Sequence, residues 1–421
     1  MICHEEEQQV ASLQCQGAPH IMGIAVLARM AFQGTDLAPL RARLLDRVAR
    51  NEHDAGALLD LSTVLQLTGN PEDGLIVQRF ALQKQQCYRV GTLGKPAAVR
   101  LLSIVAPGDL AQNNVVEFLV EGSDVSLDLL YVARDLPFPS QLPEHDVAMV
   151  SVSESDRNHA LLEAIEALVQ RWPKPVICRP DHIARSSRDL ISKLLRTTAR
   201  VVSPATVRVD RRTLECISRS ELAIGELLKD TVFPIIVRPV DSQKGQGLKK
   251  LDAADAFGPY LSERPERTFY MAPFVDYSSE DGLFRKYRVV MISGRPYACH
   301  MAVSDRWMVH YVDAGMFESA SKRAEEAKFF AEFDNDFGSR HHDALVAIAN
   351  QVRLEYFGID CSETRDGKLL VFEIDSAMTV HAMDPVDVFP YKQPQMCKVF
   401  QAFRQLVLST QQSVYSGAKA K

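Results

Sequence analysis

Three acidic side chains near the C-terminal end carry the first chemical signal. Asp360 ends the run Phe357-Gly358-Ile359-Asp360, a turn signal follows at Asp366-Gly367, and the apolar run Leu369-Leu370-Val371-Phe372 leads into Glu373-Ile374-Asp375. On a strand, residues two apart share a face, so Glu373 and Asp375 point one way and Ile374 points into the core. A hairpin through Asp366-Gly367 brings Asp360 beside them. Three carboxylates at one spot repel each other unless a cation sits among them. Hard oxygen donors with no cysteine or histidine partner favour magnesium or manganese bridged to phosphates. A plain surface hairpin with solvated acids is the competing expectation.

Further upstream, Phe233-Pro234-Ile235-Ile236-Val237-Arg238-Pro239 reads as an apolar strand ending in a cation, followed by Val240-Asp241-Ser242-Gln243-Lys244-Gly245-Gln246-Gly247-Leu248. Gly245 and Gly247 let backbone N–H groups turn toward a phosphate, and Arg238 and Lys244 add positive charge to the same loop. It is not a Walker loop, which needs a glycine-lysine-serine/threonine ending. Most Gly-x-Gly pairs are ordinary turns, so the weight comes from its position before the acidic hairpin. Between the two lies Thr268-Phe269-Tyr270-Met271-Ala272-Pro273-Phe274-Val275-Asp276, a strand leading to a hinge suited to a purine and, at its end, a ribose hydroxyl. Lys286 to Pro296 reads as a hairpin turning at Ser293-Gly294, with Lys286 and Arg288 on one face.

The order of these elements, over roughly residues 98 to 405, resembles the ATP-grasp superfamily, within it the branch of ribosomal-protein glutamate ligases and glutathione synthetases. The resemblance implies two α+β lobes that grip ATP and magnesium (or manganese). It implies that Arg238 and Lys244 meet the phosphates under a closing loop at Gly245, Gln246 and Gly247. Met271, Phe274 and Val275 match the adenine hinge, with Asp276 or Glu280 on the ribose; Arg288 matches the arginine on the transferred phosphate, and Asp360, Glu373 and Asp375 match the metal ligands. Four positions depart from the pattern. Asp375 stands where asparagine is common, an added charge expected to tighten the metal; Pro273 replaces a glutamate. Lys286 replaces an acid two residues before the arginine, and Asp189-Leu190 stands where an Asp-Lys pair opens a helix.

Ahead of this core, residues 96–200 alternate strands (Ala98 to Val105, Leu127 to Tyr131, Val147 to Val152, Pro175 to Cys178) with a helix at Asp156 to Trp172, the pattern of a Rossmann-like parallel sheet. No Gly-x-Gly-x-x-Gly follows the first strand, so nothing points to a dinucleotide. Arg179-Pro180-Asp181-His182 sits past a strand's carboxyl end, a place for a ligand or for ordinary solvated charges. Residues 1–95 read as a helical module in which Ala57 to Leu82 resembles one tetratricopeptide unit. One unit cannot form a solenoid, so the module packs on the body, forms a homodimer or grips a protein partner. Residues 201–410 hold the grasp lobes, and 411–421 read as a disordered tail.

With 421 residues, 46% hydrophobic and 24% charged, the chain has core enough for two or three domains. A net charge of -6 argues against nucleic acid as a partner. The acidic start and the short run from Ile21 to Phe32, interrupted by Arg29, suit neither a signal peptide nor a membrane span. Eight cysteines without a Cys-x-x-Cys pair fit a reducing cytoplasm. Among the histidines, His300 is the candidate for substrate contact, ahead of His310 on an expected strand from Trp307 to Tyr311, and His381 on a loop near the acids. His341 and His342 read as solvated cap residues. The expected reaction is ATP-dependent amide or peptide-bond formation between a carboxylate and an amine, small molecules or peptides, through an acyl-phosphate near Arg288, Lys286 and His300. An ATP-grasp kinase and a catalytically silent nucleotide-binding scaffold are the rival expectations.

Overall fold

Runs of valine, leucine and isoleucine between residues 99 and 150 form strands buried on both faces, as a sheet covered by helices requires. A computed structural model describes residues 18–91, 96–242 and 245–418. The chain opens with β1 (His20–Ile21), α1 (Ile24–Phe32), α2 (Ala38–Arg50), α3 (Ala55–Leu67), α4 (Pro71–Lys84) and β2 (Cys87–Val90). There follow β3 (Val99–Val105), α5 (Val116–Val120), β4 (Val125–Tyr131), β5 (Val147–Val150), α6 (Asp156–Val169) and β6 (Val176–Ile177). Six strands form one sheet in the order β1-β2-β4-β3-β5-β6. Strands β4, β3, β5 and β6 run parallel, while β2 is antiparallel to β4. Because β1 and β2 belong to this sheet, the helices within residues 18–91 are tied to it rather than forming a body apart. Tyr88 on β2 is fully buried and donates its hydroxyl to the Ala81 carbonyl at 2.9 Å.

Two buried acids seat α1. Asp60 accepts from the Met22 and Gly23 amides, and Glu117 accepts from the Ala25 amide at 2.7 Å, satisfying donors that a helix start leaves open. Burial, the largest influence, pushes Glu117 up to about 7 and Asp60 up to about 6. The folded chain therefore holds these protons more tightly than the unfolded one. Their contribution is fully present below the ordinary carboxylate range and is lost as pH rises through 6 to 7. Thermal unfolding should show a loss of about 1–3 kcal/mol between about pH 5 and about pH 8, and Glu117→Gln should flatten much of that slope.

Next come α7 (Arg188–Leu195), β7 (Val201–Val202), β8 (Val207–Asp210), β9 (Ile235–Pro239), β10 (Lys249–Leu251) and β11 (Thr268–Pro273). An antiparallel four-stranded sheet, β10-β9-β11-β8, packs Val237, Phe269 and Met271 against the helices Arg211–Ser218 and Phe257–Ser262 in a core of its own. The last part contains β12 (Phe284–Ile292), β13 (Arg295–Ser304), α8 (Ala320–Glu332), α9 (His342–Val352), β14 (Tyr356–Glu363), β15 (Leu369–Asp375) and α10 (Lys392–Ala418). A five-stranded sheet has the order β13-β12-β14-β15-β7. Ser293 and Gly294, both at positive φ, close the β12–β13 hairpin as expected, and Gly367 turns β14 into β15.

Three expectations are corrected here. Trp307 to Tyr311 forms no strand. His341 is buried rather than solvated, with Nε2 2.7 Å from Glu363, although His342 is exposed. The stretch expected to be a disordered tail continues α10 as far as Ala418. Among the described residues no helix is long and apolar enough to cross a membrane.

Candidate functional site

Register across the five-stranded sheet lines up four side chains. Arg288 on β12 pairs with His300 on β13 and with Asp360 on β14, and Asp360 pairs with Glu373 on β15. Register shifts between Arg288 and Val289 and between Asp360 and Cys361 place bulges beside this row, a device that re-aims side chains. Strand alternation does the rest. Lys286 and Arg288 face the same way while Tyr287 and Val289 are buried, and Glu373 and Asp375 flank the core residue Ile374.

Each acid of the row is paired with a cation. Asp360 is 1% exposed; its Oδ1 accepts from Arg288 Nε at 2.7 Å, and its Oδ2 lies 2.7 Å from Lys286 Nζ and accepts from Arg288 Nη2 at 3.1 Å. Burial alone would raise this carboxyl, but Arg288 and Lys286 outweigh it and hold Asp360 well below the carboxylate range. Glu373 pairs with Arg188 at the start of α7, whose Nη1 also donates to the Phe372 carbonyl at 3.1 Å. Against the opposing effect of burial, Arg188 and Arg238 lower Glu373. Asp375 behaves oppositely: burial and then the charge of Glu373 push it up to about 6. Arg238, held by Ser242 through Nε to Oγ at 3.1 Å, is pushed below the ordinary arginine range by burial and by Arg188. It stays charged at neutral pH.

These groups line a cleft of about 920 Å³ that takes its walls from the four-stranded and five-stranded sheets and from the loop after β5. Apolar surface comes from Ile236, Ala272, Phe274 and Val275 on one side and from Leu370 and Phe372 on the other. The Phe274 ring stands edge-on to Trp307 at 5.7 Å, with Lys250 Nζ 4.4 Å from its centroid. At the far end, Lys392 lies 3.1 Å from Asp384 and over the Tyr311 ring at 4.2 Å, while Tyr311 donates to buried Glu326 at 3.1 Å. His300 sits 4.8 Å from Tyr311, ring to ring, with its Nδ1 buried and unpartnered. Burial, and then Arg288, lower its pKa well below the ordinary value, so the imidazole is neutral. Glu154, at the rim, is pushed up to about 7 by burial and by Asp241 and Asp375.

The cleft thus gathers Lys286, Arg288, His300, Arg238, Gly245, Phe274, Val275, Asp360, Glu373 and Asp375, together with His310 and His381. Other expected contributors lie elsewhere. Met271 is fully buried in the core of its lobe, and Asp276 faces outward to Arg365 at 3.1 Å. Gln246 and Gly247 do not line the cleft; Gly247 gives its carbonyl to Tyr260 at 2.8 Å and lies against Pro239. Gly245, at φ +70°, packs so closely on His310 that a Cβ there would collide with the ring. Lys244 falls outside the described residues. Arg179 pairs with Glu166, and none of residues 179–182 reaches the cleft.

The three strand acids expected to hold a metal are engaged differently in this structure. Among the described residues no group of three histidine, cysteine, aspartate or glutamate side chains is placed to hold a metal ion. The reason is physical: the repulsion among the acids is relieved by the chain's own cations, so Asp360 and Glu373 turn to Lys286, Arg288 and Arg188. Asp375 has no cation paired to it and is raised by burial and by the charge of Glu373. Arg188 was missed because it precedes Asp189, whereas the motif places its cation after the acid. Trp307, Tyr311 and Lys392 had no motif to mark them.

No protein-family profile matches the chain, and no curated protein matches it in sequence. Among solved structures it is similar to an ATP-grasp RimK domain protein from Sphaerobacter thermophilus, with 14% identity, coverage of 73% of this chain and 99% of that one, and a TM-score of 0.43. It is also similar to the VanG D-Ala:D-Ser ligase of Enterococcus faecalis, with 11% identity, 74% and 100% coverage, and a TM-score of 0.44. A third is the D-alanine-D-alanine ligase of Coxiella burnetii, at 12% identity, 77% and 100% coverage, and a TM-score of 0.45.

Proposed function

We propose that the chain is an ATP-grasp enzyme that joins a carboxylate to an amine at the expense of ATP. The observation that carries this reading is the concentration of Arg188, Arg238, Lys286 and Arg288 at one end of an apolar-walled cleft between two sheets. Phe274 and Val275 with Leu370 and Phe372 offer two apolar faces for a base, and the four cations suit the phosphates. The substrate carboxylate oxygen forms a bond to the γ-phosphorus as the bond to the β–γ bridging oxygen breaks, releasing ADP. The amine nitrogen then bonds to the acyl carbon, phosphate leaves, and the nitrogen gives up a proton. His300, opposite Arg288 in the strand register and with an unpartnered Nδ1, is too weak a base to hold that proton, which leaves with the phosphate; the neutral ring suits a hydrogen bond to the substrate. Positive charge from Arg188, Arg238, Lys286 and Arg288 stabilises what develops on the phosphates.

The test is ADP release from ATP by the purified chain, with and without magnesium, across mixtures of amino acids and small amines, with mass analysis of the product. A product weighing acid plus amine minus water is expected. A stable phosphorylated product would make the chain a kinase, and failure to bind ATP in any form would remove the reading.

A further inference from the structure

Resting on that nucleotide-site reading, we propose that Lys286, with Arg288, is a built-in cation standing at Asp360 in place of a metal ion, so that the free protein takes up a nucleoside triphosphate without a divalent ion. Asp360 is already engaged by two cationic side chains. Two Arg288 nitrogens and the Lys286 ammonium already occupy its two oxygens, at 2.7 to 3.1 Å. A divalent ion sharing this carboxylate would stand against two positive groups in a site where water screens little.

The same holds one strand over, where Glu373 belongs to Arg188 and feels Arg238. Around Asp360, Glu373 and Asp375 there are thus four cations against three acids. The remaining acids of the cleft do not reverse that balance locally. Asp384 is taken by Lys392, Glu154 and Asp241 lie toward Asp375, and Asp313 acts on His310. What this corner lacks is negative charge, which a triphosphate supplies. A lysine ammonium has three donors, so Lys286 can keep Asp360 and still donate to a phosphate oxygen in the cleft it lines. The identity of the residue matters: a lysine two positions before Arg288 carries its own positive charge to the place where an acid would have called for an external one.

Three titrations of the full chain test this. Free Mn²⁺ is followed by electron paramagnetic resonance with no nucleotide present, and ATP binding is measured by calorimetry once in EDTA and once with magnesium. The wild type should bind no Mn²⁺ alone, and should bind ATP in EDTA within about tenfold of its affinity for the magnesium complex. Lys286→Gln should weaken ATP binding in EDTA by about 10- to 100-fold, weaken binding of the magnesium complex less, and allow Mn²⁺ to bind alone. Mn²⁺ binding by the wild type without nucleotide, or ATP binding only when metal is present, overturns the inference and leaves the nucleotide site standing. No ATP binding under either condition overturns the nucleotide reading itself. If Lys286→Gln does not fold, as judged by circular dichroism, the wild-type titrations decide alone.

Discussion

Asp360→Asn should lower the free energy of unfolding by about 3 kcal/mol, at the lower end of what removing one partner of a buried ion pair costs. The carboxylate is almost wholly buried, and its loss leaves Lys286 and Arg288 facing each other without a countercharge. Their side chains are each 21% exposed, so water relieves part of the penalty, which is why the lower end applies. An asparagine keeps the shape and one acceptor, so the loss reports charge rather than a cavity. Denaturant unfolding of Asp360→Asn measures it. Adding Lys286→Met to the same chain should recover a substantial part, because the second change removes one of the stranded charges. A cost under about 1 kcal/mol would mean that the pairs are solvated, as an ordinary surface hairpin would have them.

The same pair shows how far the sequence could be read. Period-two alternation placed Lys286 with Arg288 and Glu373 with Asp375, and the turn signals at Ser293-Gly294 and Asp366-Gly367 closed their hairpins. Such statements are local, and strand geometry enforces them. What alternation cannot supply is sheet order: that β12 lies beside β14 is what sets two cations on Asp360. Without it, the strands show the acids but not the cations that meet them. Arg188 was further out of reach, since its partner Glu373 lies far along the chain and on another element. Trp307 to Tyr311 has the apolar content of a strand, but side chains outside any sheet hold it, Tyr277 on the Trp307 carbonyl and Glu326 on Tyr311. At the C-terminal end, Met396, Val399, Phe403 and Val407 have helical spacing and are buried, so α10 is anchored well before the polar stretch that reads as a tail.

Arg238 should give the opposite result to Asp360. Arg238→Met is expected to leave stability within about 1 kcal/mol of the wild type, or to raise it, because the guanidinium is held in a buried place beside another cation and methionine keeps the apolar stem. Its partner Ser242 is only partly buried, so water can replace the lost hydrogen bonds. Binding should fare differently. Removing a buried cation from a phosphate costs about 2–4 kcal/mol, so calorimetric affinity for ATP should fall by roughly 30- to 1,000-fold. That split, with stability kept and affinity lost, is what separates a residue held ready for an anion from one that only completes a fold. A variant that unfolded at lower denaturant and bound ATP normally would place Arg238 among the structural residues, and the phosphate site would have to rest on Arg188, Lys286 and Arg288 alone.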